Sequence, residues 1–292
     1  MNSILPQLLM NGFIAGSIYA LIALSYNLIY RATKFSNLAH AGVLTWGSYV
    51  TLYLTENRLV NIWIASLIGM ISAGFAGLLI EKIMFLPLRK KGTSKIVLFI
   101  ASLGAMMIVQ AVISIAFSNQ PRNLLPVESI PATYHLLGGT INQTQVLILV
   151  IDTIAIFILA MLLKLTLFGK IVKAVSDDED VARIIGINTE KYLGIIFFLA
   201  SSIAGLAGIL ISLDAGMEPS MGFGFLFKGI IASIIGGVDN FIGPVIGALF
   251  LGIVENIGIW KLQGEWKDSI AFLVLILYLL FRRIKRLKPW TI

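Results

Sequence analysis

The amino-acid sequence predicts an all-α polytopic membrane bundle of about eight spans, one of them interrupted or re-entrant, with the N-terminus outside and the C-terminus cytoplasmic. Three observations lead there. The first is composition: of 292 residues, 58% are hydrophobic and 13% charged, against about a quarter charged in an average soluble domain. A soluble fold built from this chain would lack the polar residues to cover its surface. The second is length. Apolar stretches of roughly 17 to 25 residues recur, enough helix to cross about 30 Å of hydrocarbon, and they raise the mean hydropathy to +0.93. The third is the placement of the basic residues, which gather beside particular spans.

Taken in order, the apolar runs fall near 8–30, 37–54, 61–85, 96–117, 145–167, 192–212, 225–256 and 269–281. Met1-Asn2-Ser3 carries no positive charge and no small-residue cleavage site follows the first run, so that run reads as a retained span. The seventh run is broken by Gly236-Gly237-Val238-Asp239-Asn240, and Gly243-Pro244 restarts it. A Gly-rich turn followed by a helix-starting proline separates two short helices, and interrupted helices at membrane depth line a cavity or are buried in protein. Glycines at small-xxx-small spacing (Gly12 and Gly16, Ser201 and Gly205, Ala204 and Gly208, Gly243 and Gly247) predict close helix packing.

Orientation follows from Lys and Arg beside the spans, because cytoplasmic loops carry the excess. One side collects seventeen of the 22 basic residues: Arg31, Lys34, Lys82, Arg89, Lys90, Lys91, Lys95, Lys164, Lys170, Lys173, Arg183, Lys191, Arg282, Arg283, Lys285, Arg286 and Lys288. The other holds Arg58, Arg122, Lys261 and Lys267. This fixes the 236–240 turn as cytoplasmic and the 118–143 loop, with Pro121, Pro126 and Pro131, as outside. The whole chain, 1–292, reads as one transmembrane domain. Because the net charge of +7 is distributed by span, it implies a bilayer partner and no nucleic acid.

Several chemistries are excluded. Without cysteine there is no disulfide, haem-attachment motif or Cys-based zinc site. No G-x-x-x-x-G-K-[ST] loop is present to hold ATP phosphates, and neither H-E-x-x-H nor G-x-S-x-G occurs. The histidines, His40 and His135, support no catalytic constellation, so no catalytic or metal-binding residue is expected. An ion-coupled carrier would place carboxylates mid-span, but Asp152, Glu255 and Lys228 fall near the span ends drawn above, where long side chains reach the interface. His40, Asn37, Tyr19 and Ser17 are the candidates for a polar path through the spans, a packed and locally hydrogen-bonded His40 being the alternative.

The stretch 168–191 is the most informative segment. Ser176 and Glu179 have the spacing of a capping box. Asp177, Asp178 and Asp180 put negative charge at the helix start, and Gly186 provides a stop. A helix of about nine residues is expected, with Val181, Ile184 and Ile185 forming one apolar face. So short a helix needs a partner surface, either the protein's own helix ends or another subunit.

The run Asp180-Val181-Ala182-Arg183-Ile184-Ile185-Gly186 resembles the E-A-A-x-x-x-G loop of ABC importer permeases. The wider pattern is similar to the branched-chain amino acid permease family. It includes Gly16-Ser17-Ile18-Tyr19-Ala20-Leu21, Asn37-Leu38-Ala39-His40, Lys173-Ala174-Val175, Ala204-Gly205-Leu206-Ala207-Gly208, Pro219 with Gly222, and Gly236-Gly237 ahead of Gly243-Pro244. The chain departs from that family where Ala41-Gly42-Val43 follow His40 in place of Gly and an acidic residue.

The resemblance implies a permease subunit of an ATP-driven importer in a bacterial-type inner membrane. It implies partners as well: a second permease in a heterodimer, two ATP-binding subunits that hold ATP and Mg, and an external substrate-binding protein. The loop Ser176–Gly186 then couples to the ATPase. Branched-chain or related amino acids are the implied cargo, with urea, short amides or another small polar solute as alternatives, and an ion-coupled secondary carrier as a second.

Overall fold

The computed structural model describes residues 4–124, 132–136, 138–238, 240–260 and 264–286. Of the residues singled out above, Pro126, Pro131, Asp239, Lys261 and Lys288 lie outside the described residues, as do the side chains of Arg282, Arg283, Lys285 and Arg286. The chain is helical almost throughout. In order come α1 (Ile4–Thr33), α2 (Ala39–Glu56) and α3 (Ile62–Ile80), which runs through one turn of π-helix (Glu81–Phe85) into α4 (Leu86–Lys90). These are followed by α5 (Lys95–Phe117), α6 (Gln143–Leu165), α7 (Leu167–Asp177), α8 (Glu179–Ile184), α9 (Thr189–Asp214), α10 (Met221–Gly236), α11 (Ile242–Gly258) and α12 (Lys267–Arg286). A two-stranded hairpin, β1 (Thr133–Leu136) with β2 (Gly139–Asn142), lies in the loop before α6.

Among the described residues, five helices are long and apolar enough to cross a membrane: Ile4–Thr33, Ile62–Lys90, Lys95–Phe117, Gln143–Leu165 and Thr189–Asp214. They differ in what surrounds them. The most apolar windows of α1 and α9 are 67% and 72% buried inside the protein, whereas those of the third, fifth and sixth helices are 28%, 28% and 17% buried. Helices α1 and α9 therefore form the centre, and α3, α5 and α6 present their side chains outward, where lipid solvates them.

Small residues let the central helices touch. A Cβ on Gly12 would sit 2.7 Å from the Cα of Ile253, and one on Gly16 would sit 2.8 Å from the Cα of Leu249, so α1 and α11 are in backbone contact. On the other side a Cβ on Gly47 of α2 would sit 2.8 Å from the Cα of Gly205 of α9, and Gly205 faces Ala73 of α3. In lipid, where apolar side chains gain nothing by leaving solvent, such close van der Waals contact is a main source of helix association.

The interruption at Gly236, Gly237, Gly243 and Pro244 is a tight turn between two antiparallel helices. Gly237 adopts φ 89°, a left-handed conformation that ends α10 at no steric cost to glycine. The backbones of Gly236 and Gly243 abut, and Gly247 lies against Ala232. Pro244 sits in the first turn of α11, where its missing N–H has no intrahelical partner to lose. This hairpin runs alongside α1: Ser233 donates to the Ala23 carbonyl at 3.1 Å, and Phe241 of the turn lines one cavity with Asn27, Leu28 and Arg31.

The 168–191 stretch differs from the expected layout. Its longer helix precedes Ser176: α7 spans Leu167–Asp177, capped by the Thr166 side chain, which accepts from the Gly169 N–H at 3.3 Å. Ser176 is buried in the last turn of α7, and its hydroxyl has no hydrogen-bond partner. It therefore does not form a capping box with Glu179. The cap is Asp178, whose carboxylate accepts from the N–H groups of Asp180 at 2.9 Å and Val181 at 3.0 Å. An ionised Asp both satisfies those donors and complements the helix dipole, so it outcompetes a hydroxyl two residues earlier. The resulting α8 has six residues rather than about nine.

Candidate functional site

The four polar candidates on α1 and α2 are all buried, but the fold does not bring them to one place. Ser17 donates to Asp152 of α6 at 2.6 Å. Tyr19, two residues and about 200° further around α1, donates to Glu255 of α11 at 2.9 Å. His40 lies 2.9 Å from the Ser25 hydroxyl through Nε2. Asn37 accepts from the Ala39 N–H at 3.1 Å and so starts α2. His40 thus ties α2 to α1 and Asn37 makes a local bond at the start of α2, whereas Tyr19 belongs to a charged cluster.

The helix bounds correct the placement of Asp152 and Lys228 near span ends, whereas Glu255, three residues before α11 ends at Gly258, does lie near one. Asp152 is the tenth residue of the 23-residue α6, and Asp152 and Glu255 are fully buried. Lys228 lies mid-way along α10 with 8% of its surface exposed. The misplacement arose from drawing the seventh span from 225. With α10 starting at Met221, Lys228 falls two turns inside it and cannot reach an interface along its own helix. The available signal was the pairing of a lone Lys with a lone Glu, one in each half of an otherwise apolar hairpin, since buried charges in membranes seek each other.

The geometry around Lys228 is specific. Its ammonium lies 2.8 Å from Asp268 at the start of α12, 3.6 Å from Glu255 and 3.3 Å from the Tyr19 hydroxyl. It also stands 5.4 Å from the ring centre of Tyr19 and 5.7 Å from that of Phe225, at a distance where a ring quadrupole attracts a cation. Glu255 and Lys228 would each be costly alone in this setting, and pairing with an added phenol hydrogen bond offsets that cost.

Lys228 and Asp268 line the floor of a 420 Å³ cavity. Its far wall is formed by Arg122 and Met217, whose backbones are joined by two hydrogen bonds of 2.9 and 2.7 Å. A second cavity of 230 Å³, lined by Tyr19, Asn256 and Lys267, lies on the other side of Phe225. Among the described residues there is no cluster of three or more His, Asp or Glu able to hold a metal.

At the opposite end the basic residues assemble as the positive-inside distribution requires. Arg31, Lys164, Lys170 and Lys173 share one cavity, and Lys82 and Lys191 share another. Lys90 pairs with Glu190 at 3.0 Å, and Arg89 pairs with the buried Glu81. Here α8 projects outward. Ala182 is buried, but Val181, Ile184 and Ile185 are 53%, 83% and 68% exposed. Gly186, at φ 90°, closes the helix. Its N–H donates to Arg183, and that of Ile187 donates to Ala182 at 3.0 Å, the paired bonds of a Schellman stop.

Membrane-length helices with a cavity lined by Lys228 and Asp268 fit a solute permease. The chain belongs to the family described as branched-chain amino acid transport system / permease component, whose model matches residues 8–279. It is 29% identical to the high-affinity branched-chain amino acid transport system permease protein BraD of Pseudomonas aeruginosa, over 94% of this chain and 93% of that protein. It is 28% identical to the corresponding protein LivH of Escherichia coli, over 94% of this chain and 92% of that one. A structure of PsaBC from Streptococcus pneumoniae in complex with Fab covers 95% of this chain and 90% of its own at 14% identity, with a TM-score of 0.45.

Proposed function

We propose that this chain is the membrane-spanning permease subunit of an ATP-driven importer for branched-chain amino acids in a bacterial inner membrane. It crosses nine times if α10 and α11 are both full passes, which puts the N-terminus outside and the C-terminus in the cytoplasm. Its partners are a second permease subunit, two ATP-binding subunits that bind ATP and Mg, and an external substrate-binding protein. The segment Ser176–Gly186 transmits ATPase movement. The observation that carries this reading is the exposed apolar face of Val181, Ile184 and Ile185 on a helix capped at both ends, at the basic end of the bundle. A six-residue helix with its apolar face in water is held for a partner.

The test is uptake into proteoliposomes. The complete set of subunits should concentrate leucine when ATP and the binding protein are supplied. The chain alone, under a proton or sodium gradient, should not. The second arm matters because Asp152 and Glu255 are the kind of buried carboxylate an ion-coupled carrier uses, and gradient-driven uptake by the chain alone would replace the importer reading. The absence of native cysteine makes orientation directly readable: a Cys replacing Asn123 should react with an impermeant thiol reagent from outside, and one replacing Lys90 should not.

A further inference from the structure

We propose that the 420 Å³ cavity above Lys228 binds the transported amino acid as a zwitterion by exchanging ion pairs: the ligand carboxylate replaces Asp268 on the Lys228 ammonium, and the freed Asp268 takes the ligand ammonium. This rests on the permease reading and assigns the residues that would contact cargo.

The charge arrangement is the first reason. Lys228 faces two carboxylates of unequal standing. Glu255 is fully buried and is additionally held by the Tyr19 hydroxyl, so it serves as the permanent counter-ion. Asp268 is 66% exposed, yet lies closer to the ammonium, at 2.8 Å against 3.6 Å. The cavity lining balances Lys228 and Arg122 against Asp268 and Glu218, so a zwitterion, itself neutral overall, enters without upsetting that balance. Removing a charge from its partner inside a protein costs several kcal/mol, but in this exchange each of the four charges keeps a counter-ion throughout.

The walls supply the rest. The volume lies within the roughly 300 to 1,000 Å³ usual for small-molecule sites. Met217, Met221 and Phe225 line it beside the charges. Methionine's unbranched, polarizable side chain adapts to differently branched aliphatic groups, so one cavity suits leucine, isoleucine and valine. Phe225 also lines the second cavity, together with Tyr19.

The experiment uses the cysteine-free chain, in its assembled importer, with Ser220→Cys placed in the cavity wall and reacted with a small charged methanethiosulfonate. Leucine should slow labelling. Leucinamide, lacking the carboxylate, and 4-methylpentanoate, lacking the ammonium, should not. Adding Asp268→Asn should raise the leucine concentration for half-protection about tenfold or more, the scale of one lost charge-assisted contact, whereas Asp268→Glu should largely preserve it. Unchanged thermal stability of Asp268→Asn separates a binding role from a structural one. The proposal is overturned if leucinamide or 4-methylpentanoate protects as well as leucine, if leucine does not protect, or if Asp268→Asn protects at the unaltered concentration. ATP-driven leucine uptake measured on the same vesicles separates the two readings. Uptake without protection sinks this site and leaves the importer standing, whereas loss of uptake with a failed protection pattern removes both.

Discussion

The α10–α11 hairpin and α8 both turn on a glycine in the same backbone conformation, φ 89° at Gly237 and φ 90° at Gly186, yet they are built for opposite surroundings. In the hairpin, nearly every small or charged side chain meets another helix: Gly247 against Ala232, Ser233 on α1, and Glu255 and Lys228 on each other and on Tyr19. In α8, only Ala182 faces inward, and the larger apolar side chains point away from the protein. Identical local chemistry at the turn therefore says nothing about whether a helix belongs to the core. The difference lies in which side chains find partners within the chain, so substitutions in the hairpin should act on stability and those in α8 on association.

The largest effect is expected at Lys228. Lys228→Met leaves Glu255 fully buried without its cation, and losing one partner of a buried pair costs about 3 to 5 kcal/mol. A thermal melt of the purified chain in detergent should show it, and an unshifted melt would mean that the pair is not the hairpin's anchor. Next comes Gly16→Val. Its side chain would enter the backbone of α11 at Leu249, and overpacking of this kind costs about 1 to 3 kcal/mol, read as poor monodispersity and a lower melting temperature.

The α8 substitutions should invert that pattern. Gly186→Pro cannot adopt the left-handed φ and removes the N–H that bonds Arg183. It should abolish copurification with the ATP-binding subunits while the melt of the isolated chain stays unchanged. If the complex still forms at wild-type yield, α8 is an ordinary connection. Smallest of all, Ser176→Ala removes a buried hydroxyl that has no partner, and should change stability by about 0.5 kcal/mol or less. Asp178→Ala, which deletes the actual cap, should weaken α8 by about 0.5 to 2 kcal/mol, measurable as faster amide exchange at Asp180 and Val181.

The sequence was most legible where one physical rule governs many residues at once. Hydropathy located the spans near their observed bounds because no other structure satisfies a backbone in lipid, and Gly236-Gly237 with Gly243-Pro244 marked the break because few residues tolerate that turn. It was least legible where neighbouring residues compete for one role. Ser176 and Asp178 are both competent caps, and only the fold of 167–177 into a helix of its own decides between them. The buried charges were missed for a related reason. A Lys one turn from an assumed boundary reads as snorkelling, and its partners, Glu255 and Asp268, come from two other helices. Tyr19 stands among the polar-path candidates, but of its companions His40 ties α2 to α1 and Asn37 bonds locally at the start of α2.

The central helix α1 has one further consequence. It is a single uninterrupted rod of 30 residues, about 45 Å long. Tyr19 touches the charged floor of the cavity, and Leu28, Ile29 and Ala32, about two to four turns further along, share a core with Val172 and Val175 of α7 and Ala182 of α8. The cavity and the outward-facing helix thus both abut one continuous helix.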